Sequence, residues 1–119
     1  TTTSTSFIDV TNGSLAITCA STDNKVLLMA NMPIISPSGS NAIYITILRD
    51  STNLGDTTLG LSKMYTDNYI VDMWTCNFVD APSSTSEITY KLQIAAQGGT
   101  AGYSVGNTKT QLTAFEIEI

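Results

Sequence analysis

Two glutamates near the C-terminus have the spacing that acid–base chemistry between carboxylates requires. Glu116 and Glu118 lie two residues apart, and apolar residues alternate with them. On a strand both carboxylates would point to the same side, with Cα atoms about 7 Å apart, and glycosidases use carboxyl pairs about 5–9.5 Å apart. Any Glu-x-Glu on an exposed strand has this spacing. We therefore interpret the pair as solvated surface, opposite an apolar face of Phe115, Ile117 and Ile119, and predict no catalysis.

The other side chains that could do chemistry are few. The sequence has no histidine, which removes the usual general base, the usual zinc ligand and every Ser-His or Cys-His nucleophilic pair. Asp50, Asp56 and Asp67 could offer oxygens to calcium, but the alternating Asp pattern of a calcium loop is absent. Cys19 and Cys76 either form one disulfide or remain buried free thiols. We expect no enzymatic activity, no metal and no cofactor.

Charge excludes further classes of protein. Only 13% of the 119 residues are charged, and five Lys+Arg against ten Asp+Glu give a net charge of −5. Nucleic-acid binding needs clustered Lys and Arg, an anionic membrane surface needs the same, and no apolar run approaches the ~20 residues of a membrane helix. So few charges predict that the domain buries surface against copies of itself. The sequence begins with Thr1 and shows no signal peptide, so we expect a trimmed chain or a segment of a longer one.

The elements that must position these side chains are strands. Apolar residues recur at period two, most clearly in Ile88–Ala96, and 19 Thr with 13 Ser disfavour helices. Strands are predicted at Phe7–Thr11, Ser14–Thr18, Lys25–Met32, Asn41–Arg49, Asn53–Gly55, Tyr69–Val79, Ile88–Ala96, Tyr103–Gly106 and Gln111–Ile119. Turn signals about 8–12 residues apart predict an all-β fold, an antiparallel β-sandwich or jelly roll of eight or nine strands.

Several local features refine this prediction. Asn12-Gly13 is typical of a hairpin turn. Lys25–Met32 is apolar on both faces and is followed by Pro33, which predicts a central strand covered on both sides. Ile34–Ser40 and Asp56–Asp67 are expected to be loops. Four methionines without helical spacing are expected to fill the core: Met29, Met32, Met64 and Met73.

Aromatic residues suggest a different kind of site. A sugar ring has an apolar face and a polar rim, so sugar binding combines an exposed aromatic ring with hydrogen-bonding side chains. Trp74 shares a strand face with Ile70 and Phe78, so we expect it to be packed rather than presented. Tyr65 lies in the irregular segment and is the better candidate for an exposed contact.

The order of several segments resembles a domain of bacteriophage tail-fibre and related virion structural proteins. The segments that carry the resemblance follow one another in the family's order: Thr3–Thr11, Leu15–Thr18, Ala20–Leu27, Ile47–Thr52, Asn77–Pro82, Ser84–Gln93 and Leu112–Ile117. One residue, Cys19, and one segment, Leu54–Asp67, depart from the family's pattern.

The resemblance implies a β-sandwich of jelly-roll type that assembles as a homotrimer in the virion, beside other virion proteins. We divide the chain into an N-terminal arm, residues 1–6, and one sandwich domain, residues 7–119. The expected function is that of a fibre or spike head that contacts a glycan on the host surface. Variable loops are where such a contact is expected, and we assign it to Tyr65, Asp67 and Asn68.

Two alternatives use the same fold. A capsid decoration (cement) protein would clamp neighbouring capsid subunits, with Thr1–Ser6 as an arm lying on the shell; copy number per particle distinguishes it from a fibre. A carbohydrate-binding module of a polysaccharide-degrading enzyme would be recognised by a neighbouring catalytic domain in the gene.

Overall fold

A computed structural model describes residues 1–37, 41–104 and 108–119, and the strands in these ranges form two antiparallel sheets. The first sheet contains β1 (Ile8–Ile17), β3 (Asn41–Arg49), β4 (Thr52–Asn53), β5 (Ser62–Thr66) and β7 (Ile88–Gln97). The second contains β2 (Lys25–Ser36), β6 (Ile70–Asp80), β8 (Gly102–Tyr103) and β9 (Gln111–Ile117). The all-β prediction and the antiparallel pairing are confirmed.

Strand order shows how the chain moves between the sheets. In the first sheet the order is β1-β7-β3-β4, and β5 also pairs with β3. In the second sheet β2 is central: it pairs with β6 along one edge, and with β9 and then β8 along the other. Because sequence neighbours such as β1 and β2 lie in different sheets, most connections cross the sandwich. The two sheets are therefore joined at many points along the chain.

The core lies between the sheets and consists of alternate residues from each strand. Ile43, Ile45 and Ile47 of β3 are fully buried, as the alternation of Asn41–Arg49 predicts. From the second sheet β2 contributes a matching row, in which Leu28 and others are buried in the same apolar cluster. Each fully buried aliphatic side chain of this size contributes roughly 1.5–3 kcal/mol. Burial of these rows holds the sheets face to face.

A half-buried ionic contact joins the two sheets. Asp80, at the end of β6, accepts hydrogen bonds from Arg49 Nη1 at 2.8 and 3.0 Å and from Tyr90 Oη at 2.7 Å. Arg49 and Tyr90 are paired neighbours on β3 and β7 of the opposite sheet. Burial, together with the Asp80 carboxylate, raises the pKa of Tyr90 well above its usual value, so the phenol remains a donor.

Asn12-Gly13 forms a bulge instead of the expected hairpin turn. Both halves of β1 pair with β7, and the register shifts between Asp9 and Ser14. Asn12 has the positive φ (61°) that is expected at an Asn-Gly turn. Here this conformation accommodates extra residues within β1, and the chain direction does not reverse. A Cβ on Gly13 would lie 3.1 Å from Val10 Cβ, so the bulge also needs a small residue.

Two predicted loops contain strand. β5 occupies Ser62–Thr66 inside the expected loop Asp56–Asp67, because β3 supplies backbone partners that no local pattern reveals. β2 continues past Pro33 to Ser36. Proline has no backbone N–H to donate. In an antiparallel strand the C=O and N–H of one residue point to the same side, and Pro33 O accepts the Ser104 N–H at 2.9 Å. The position that lacks a donor therefore faces the gap between the end of β9 and the start of β8, where no strand needs it. Residues 38–40 of the expected loop Ile34–Ser40, and residues 105 and 106 of the expected strand Tyr103–Gly106, lie outside the described residues.

Two predictions about burial are wrong. Met32 is buried and Met64 packs against the core, but Met29 is 41% exposed and Met73 is 52% exposed. β2 is central, as predicted, yet the predicted range Lys25–Met32 is covered on one side only, because on the outward side Leu27 is half-buried and Met29 exposed. Cover on the outward side begins only beyond the predicted range, where Pro33 and Ile35 are buried.

The N-terminal residues lie against the domain. Thr2 and Ala101 exchange backbone hydrogen bonds of 2.7 and 2.9 Å, and Ser4 O accepts the Ala96 N–H at 2.8 Å. Phe7 then packs against a small buried cluster on the outward side of the first sheet. This cluster comprises Ala42, Tyr44 and Ala95. The N-terminal segment thus covers apolar surface that would otherwise face solvent.

We predict that Asp80→Ala lowers the free energy of unfolding by roughly 2–4 kcal/mol, because it leaves the Tyr90 hydroxyl buried without its acceptor and Arg49 without its counter-ion. Urea denaturation followed by circular dichroism measures the change. Asp23→Ala removes an exposed carboxylate of the same type and is the matched control, expected to change stability by less than about 0.5 kcal/mol. Equal stabilities for the two variants would contradict the role given to Asp80.

Candidate functional site

The predicted contact residues lie on the connection that carries the chain from the first sheet to the second. Tyr65 is on β5, and Asp67 and Asn68 follow it immediately before β6. All three are exposed, Tyr65 by 62%. The structure therefore places the predicted residues on one short surface segment, which we name the β5–β6 connection (residues 65–69).

Local hydrogen bonds hold this connection in shape. The Thr66 hydroxyl is buried, donates to Asn68 O at 2.6 Å and accepts the Asn68 N–H at 3.1 Å. Thr66 therefore makes the turn, while the side chains of Asp67 and Asn68 point to solvent. A rigid turn presents hydrogen-bonding groups at lower entropic cost than a mobile loop does.

Tyr65 stands on a structured surface. It pairs with the buried Ala42 on β3, and two residues earlier on the same side the Lys63 ammonium lies 5.7 Å from the centre of the Tyr44 ring. The Tyr65 ring thus offers an apolar face beside polar groups. This arrangement can stack on a ligand ring and hydrogen-bond its rim, but it contains no nucleophile–base pair.

A second aromatic side chain on the connection was not assigned as a contact from the sequence. Tyr69 is 63% exposed, as much as Tyr65. It precedes β6 in register with the outward residues Val71 and Met73, so it belongs to the outward side of the second sheet. Alternation along Tyr69–Val79 was the signal that could have found it. The two tyrosines leave the sandwich on different sides, and one flat ligand does not cover both.

Trp74 is buried, which confirms the prediction that it is packed. It is 6% exposed, and its indole N–H donates to Ser62 Oγ at 2.7 Å. Because Ser62 is on β5 and Trp74 on β6, this bond joins the two strands that the connection links. Trp74 anchors the base of the β5–β6 connection from inside.

A polar cleft of about 790 Å³ opens elsewhere, where the β1 bulge approaches β8. Its described lining residues carry hydroxyl, amide or amine groups and no carboxylate: Thr11, Asn12, Tyr103, Ser104, Thr108, Lys109 and Thr110. Tyr103 Oη accepts the Thr11 N–H at 3.1 Å and lies 3.2 Å from Thr11 Oγ1. Sequence reasoning missed this cleft because it joins residues about 92 positions apart.

Glu118 is exposed, as the sequence predicted for the glutamate pair, whereas Glu116 is half-buried and hydrogen-bonded. Glu116 Oε1 accepts the Ala20 N–H at 2.7 Å and the Asn24 amide N–H at 2.6 Å. These bonds hold the pKa of Glu116 below its usual range, Asn24 having the larger effect. Glu116 therefore holds the connection between β1 and β2, and on the opposite side Phe115 is 52% and Ile119 77% exposed.

The loop aspartates serve the backbone. Asp56 Oδ1 accepts the N–H groups of Thr58 and Leu59, both at 2.8 Å, which lowers the pKa of Asp56. Asp50 Oδ1 accepts the Thr89 N–H at 2.9 Å. Within the described ranges, no group of three or more His, Cys, Asp or Glu side chains is placed to hold a metal ion.

Both cysteines are free thiols, so the disulfide alternative is not realised in this structure. Cys19 is buried and Cys76 half-buried, and burial raises the pKa of each thiol. A raised pKa disfavours the thiolate and hence nucleophilic reactivity.

Comparison of the sequence with protein-family models gives no match, and comparison with curated proteins gives none either. In the part of the chain that the structure describes, no helix has the length and apolar character needed to cross a membrane.

We predict that the stability of the protein falls as pH decreases below about 4.5, and that Glu116→Gln flattens this dependence. The folded-state pKa of Glu116 is lowered from 4.5, so its contribution is present above the unfolded-state pKa and is lost as pH falls through the folded-state pKa. Asp9, whose pKa is lowered by Gln93 and Lys91, adds a slope that remains in the variant.

Thermal unfolding from pH 3 to pH 7 tests this prediction. Glu118→Gln removes the same charge two residues further along and serves as the matched control, expected to retain the wild-type slope. Identical slopes for Glu116→Gln and wild type would show that the hydrogen bonds to Asn24 and Ala20 do not favour the folded state.

Proposed function

We propose that this chain is a non-enzymatic structural domain of a bacteriophage particle, the head of a tail fibre or spike, which contacts a glycan on the host surface. In the virion it would assemble as a trimer of jelly-roll-type sandwiches and contact other virion proteins. The order of segments that resembles virion proteins supports this role. The observation that carries the host contact is the exposed Tyr65 ring beside Asp67 and Asn68 on a turn held by Thr66.

The chemistry of the β5–β6 connection fits a saccharide better than a charged ligand. One side of a sugar ring packs on an aromatic face, and its hydroxyl groups accept and donate hydrogen bonds. Asp67 supplies acceptors, and the Asn68 amide supplies both donors and an acceptor. A single contact of this kind is weak, and three copies on one particle would raise the effective affinity by avidity.

The N-terminal segment favours the fibre-head proposal over capsid decoration. The decoration alternative uses Thr1–Ser6 as an arm lying on the shell. In the structure, Thr2 and Ser4 already make backbone hydrogen bonds with Ala101 and Ala96 of the same chain. An arm that reached the capsid would have to break them. Copy number per particle remains the direct discriminator, since decoration requires hundreds of copies and a fibre a few to tens.

We predict that Tyr65→Ala weakens binding to an array of bacterial envelope polysaccharides about tenfold or more, the loss expected when a stacking contact of about 1.5 kcal/mol is removed. Tyr69→Ala is the matched control, because Tyr69 has the same residue type and exposure but belongs to the other outward side. It should bind as wild type does.

Two further variants locate the contact. Asp67→Ala and Asn68→Ala should each weaken binding, because each removes a hydrogen-bonding group from the ligand's rim. Loss of binding in Lys109→Ala, with Tyr65→Ala unchanged, would move the contact to the polar cleft. Absence of binding to every polysaccharide and to cells of the host would contradict host attachment.

A further inference from the structure

β6 forms a long free edge of the second sheet. It pairs with β2 in unbroken antiparallel register along its whole length, and no other strand of the described residues pairs with it. In this register Met73 lies opposite Pro33, whose C=O accepts the Ser104 N–H on the side away from β6. Opposite residues in an antiparallel pair direct their N–H and C=O groups either towards each other or away from each other. The backbone groups of Met73 therefore point to the free edge.

The same alternation directs further backbone groups to this edge. They belong to Val71, Thr75, Asn77 and Val79. A row of such groups is a template on which another strand can pair. From Met73 to Val79 the sequence has neither a charged residue nor a proline, and these two side chains are each 52% exposed. A segment with this composition at an exposed edge is an aggregation hazard.

The other strands at the edges of the sandwich are short, irregular or covered. β4, β5 and β8 have two, five and two residues, and β1 contains the bulge at Asn12-Gly13. Cα atoms of β1 and β9 approach within 8 Å of each other, so these two strands lie side by side. Short strands, bulges and covered edges each hinder the addition of a strand. Among the described residues, β6 is long, regular and uncovered, so its edge needs another kind of protection.

Asp72 is placed to give this protection. It is the one charged residue between Asp67 and Asp80, and it alternates along β6 with the outward residues, so its side chain starts on the inward side with Trp74. The carboxylate nevertheless stays exposed, and its Oδ1 accepts the Met73 N–H at 2.7 Å. Because that N–H points to the free edge, the carboxylate occupies the position that the carbonyl oxygen of an added strand would take.

We propose that Asp72 keeps the β6 edge unpaired, so that neither another copy of this chain nor another exposed strand extends the second sheet there. An added strand would have to offer a carbonyl oxygen to the Met73 N–H in exchange for the carboxylate. Hydrogen bonds to a charged acceptor are roughly twice as strong as neutral ones, so this exchange is unfavourable. A carbonyl oxygen beside the displaced carboxylate would also meet a negative charge. This role is separate from the proposed function and holds whether or not the chain binds a glycan.

Asp72→Thr tests this role, because threonine favours strands and lacks the carboxylate. We expect the variant to form species larger than wild type, with association beginning at a concentration at least about tenfold lower. Light scattering during gel filtration measures the mass, and circular dichroism verifies the fold. Asp23→Thr removes an exposed carboxylate from the connection between β1 and β2 and is the matched control, expected to keep the wild-type mass. An Asp72→Thr variant with the wild-type mass over the same concentrations would overturn the proposal.

A second substitution shows whether the association uses this edge. The Asn77 N–H points to the free edge, so a proline there breaks no bond to β2 and removes a donor that an added strand would need. We expect the double variant Asp72→Thr/Asn77→Pro to regain the wild-type mass. Association as strong as that of Asp72→Thr alone would place the contact elsewhere and contradict the proposal.

A measurement on wild type keeps the proposal testable if the variants do not fold. Met73, Thr75 and Asn77 all direct their N–H groups to the same edge, and Met73 donates to Asp72. Amide hydrogen exchange followed by NMR should therefore show the Met73 amide protected at least about tenfold more than the other two. Equal protection at all three positions would overturn the proposal, because either the Asp72 bond is absent or the whole edge is paired.

Discussion

Face-to-face packing of the two sheets is the constraint on which the remaining structure depends. The buried rows of β2 and β3 supply the attraction, which has no preferred direction along the strands. The Asp80 carboxylate supplies direction, since it must reach both Arg49 Nη1 and Tyr90 Oη on the opposite sheet. Hydrophobic burial therefore explains that the sheets associate, and the ionic contact explains the offset at which they do so.

This packing leaves one outward face on each sheet, and the two faces differ in how much of their apolar surface is covered by the chain itself. The N-terminal segment closes the first sheet, with Phe7 over Tyr44, whereas the second sheet keeps Met73, Val79 and Phe115 in solvent. The low charge content is the sequence feature from which we expected contact between copies of the chain.

The contact residues illustrate how far local sequence reasoning extends. An irregular segment rich in polar residues indicated that Tyr65, Asp67 and Asn68 are exposed, and the structure places them at the surface. The strand β5 beneath Tyr65 was invisible, because its pairing with β3 depends on backbone groups rather than on its own side-chain pattern. The polar cleft was missed for the same reason, since its walls meet only when β1 approaches β8.

The amino-acid sequence by itself determined the strand content, because period-two alternation and abundant Thr act within each segment and need no partner. It also determined that the Trp74 side chain would be buried, since its strand face carries apolar neighbours. Only the tertiary structure decided that Asn12-Gly13 bulges instead of turning, that Glu116 binds Asn24, and that Phe115 faces outward. Alternation shows that a strand has two unlike sides, and only the position of the opposing sheet determines which side is the inside.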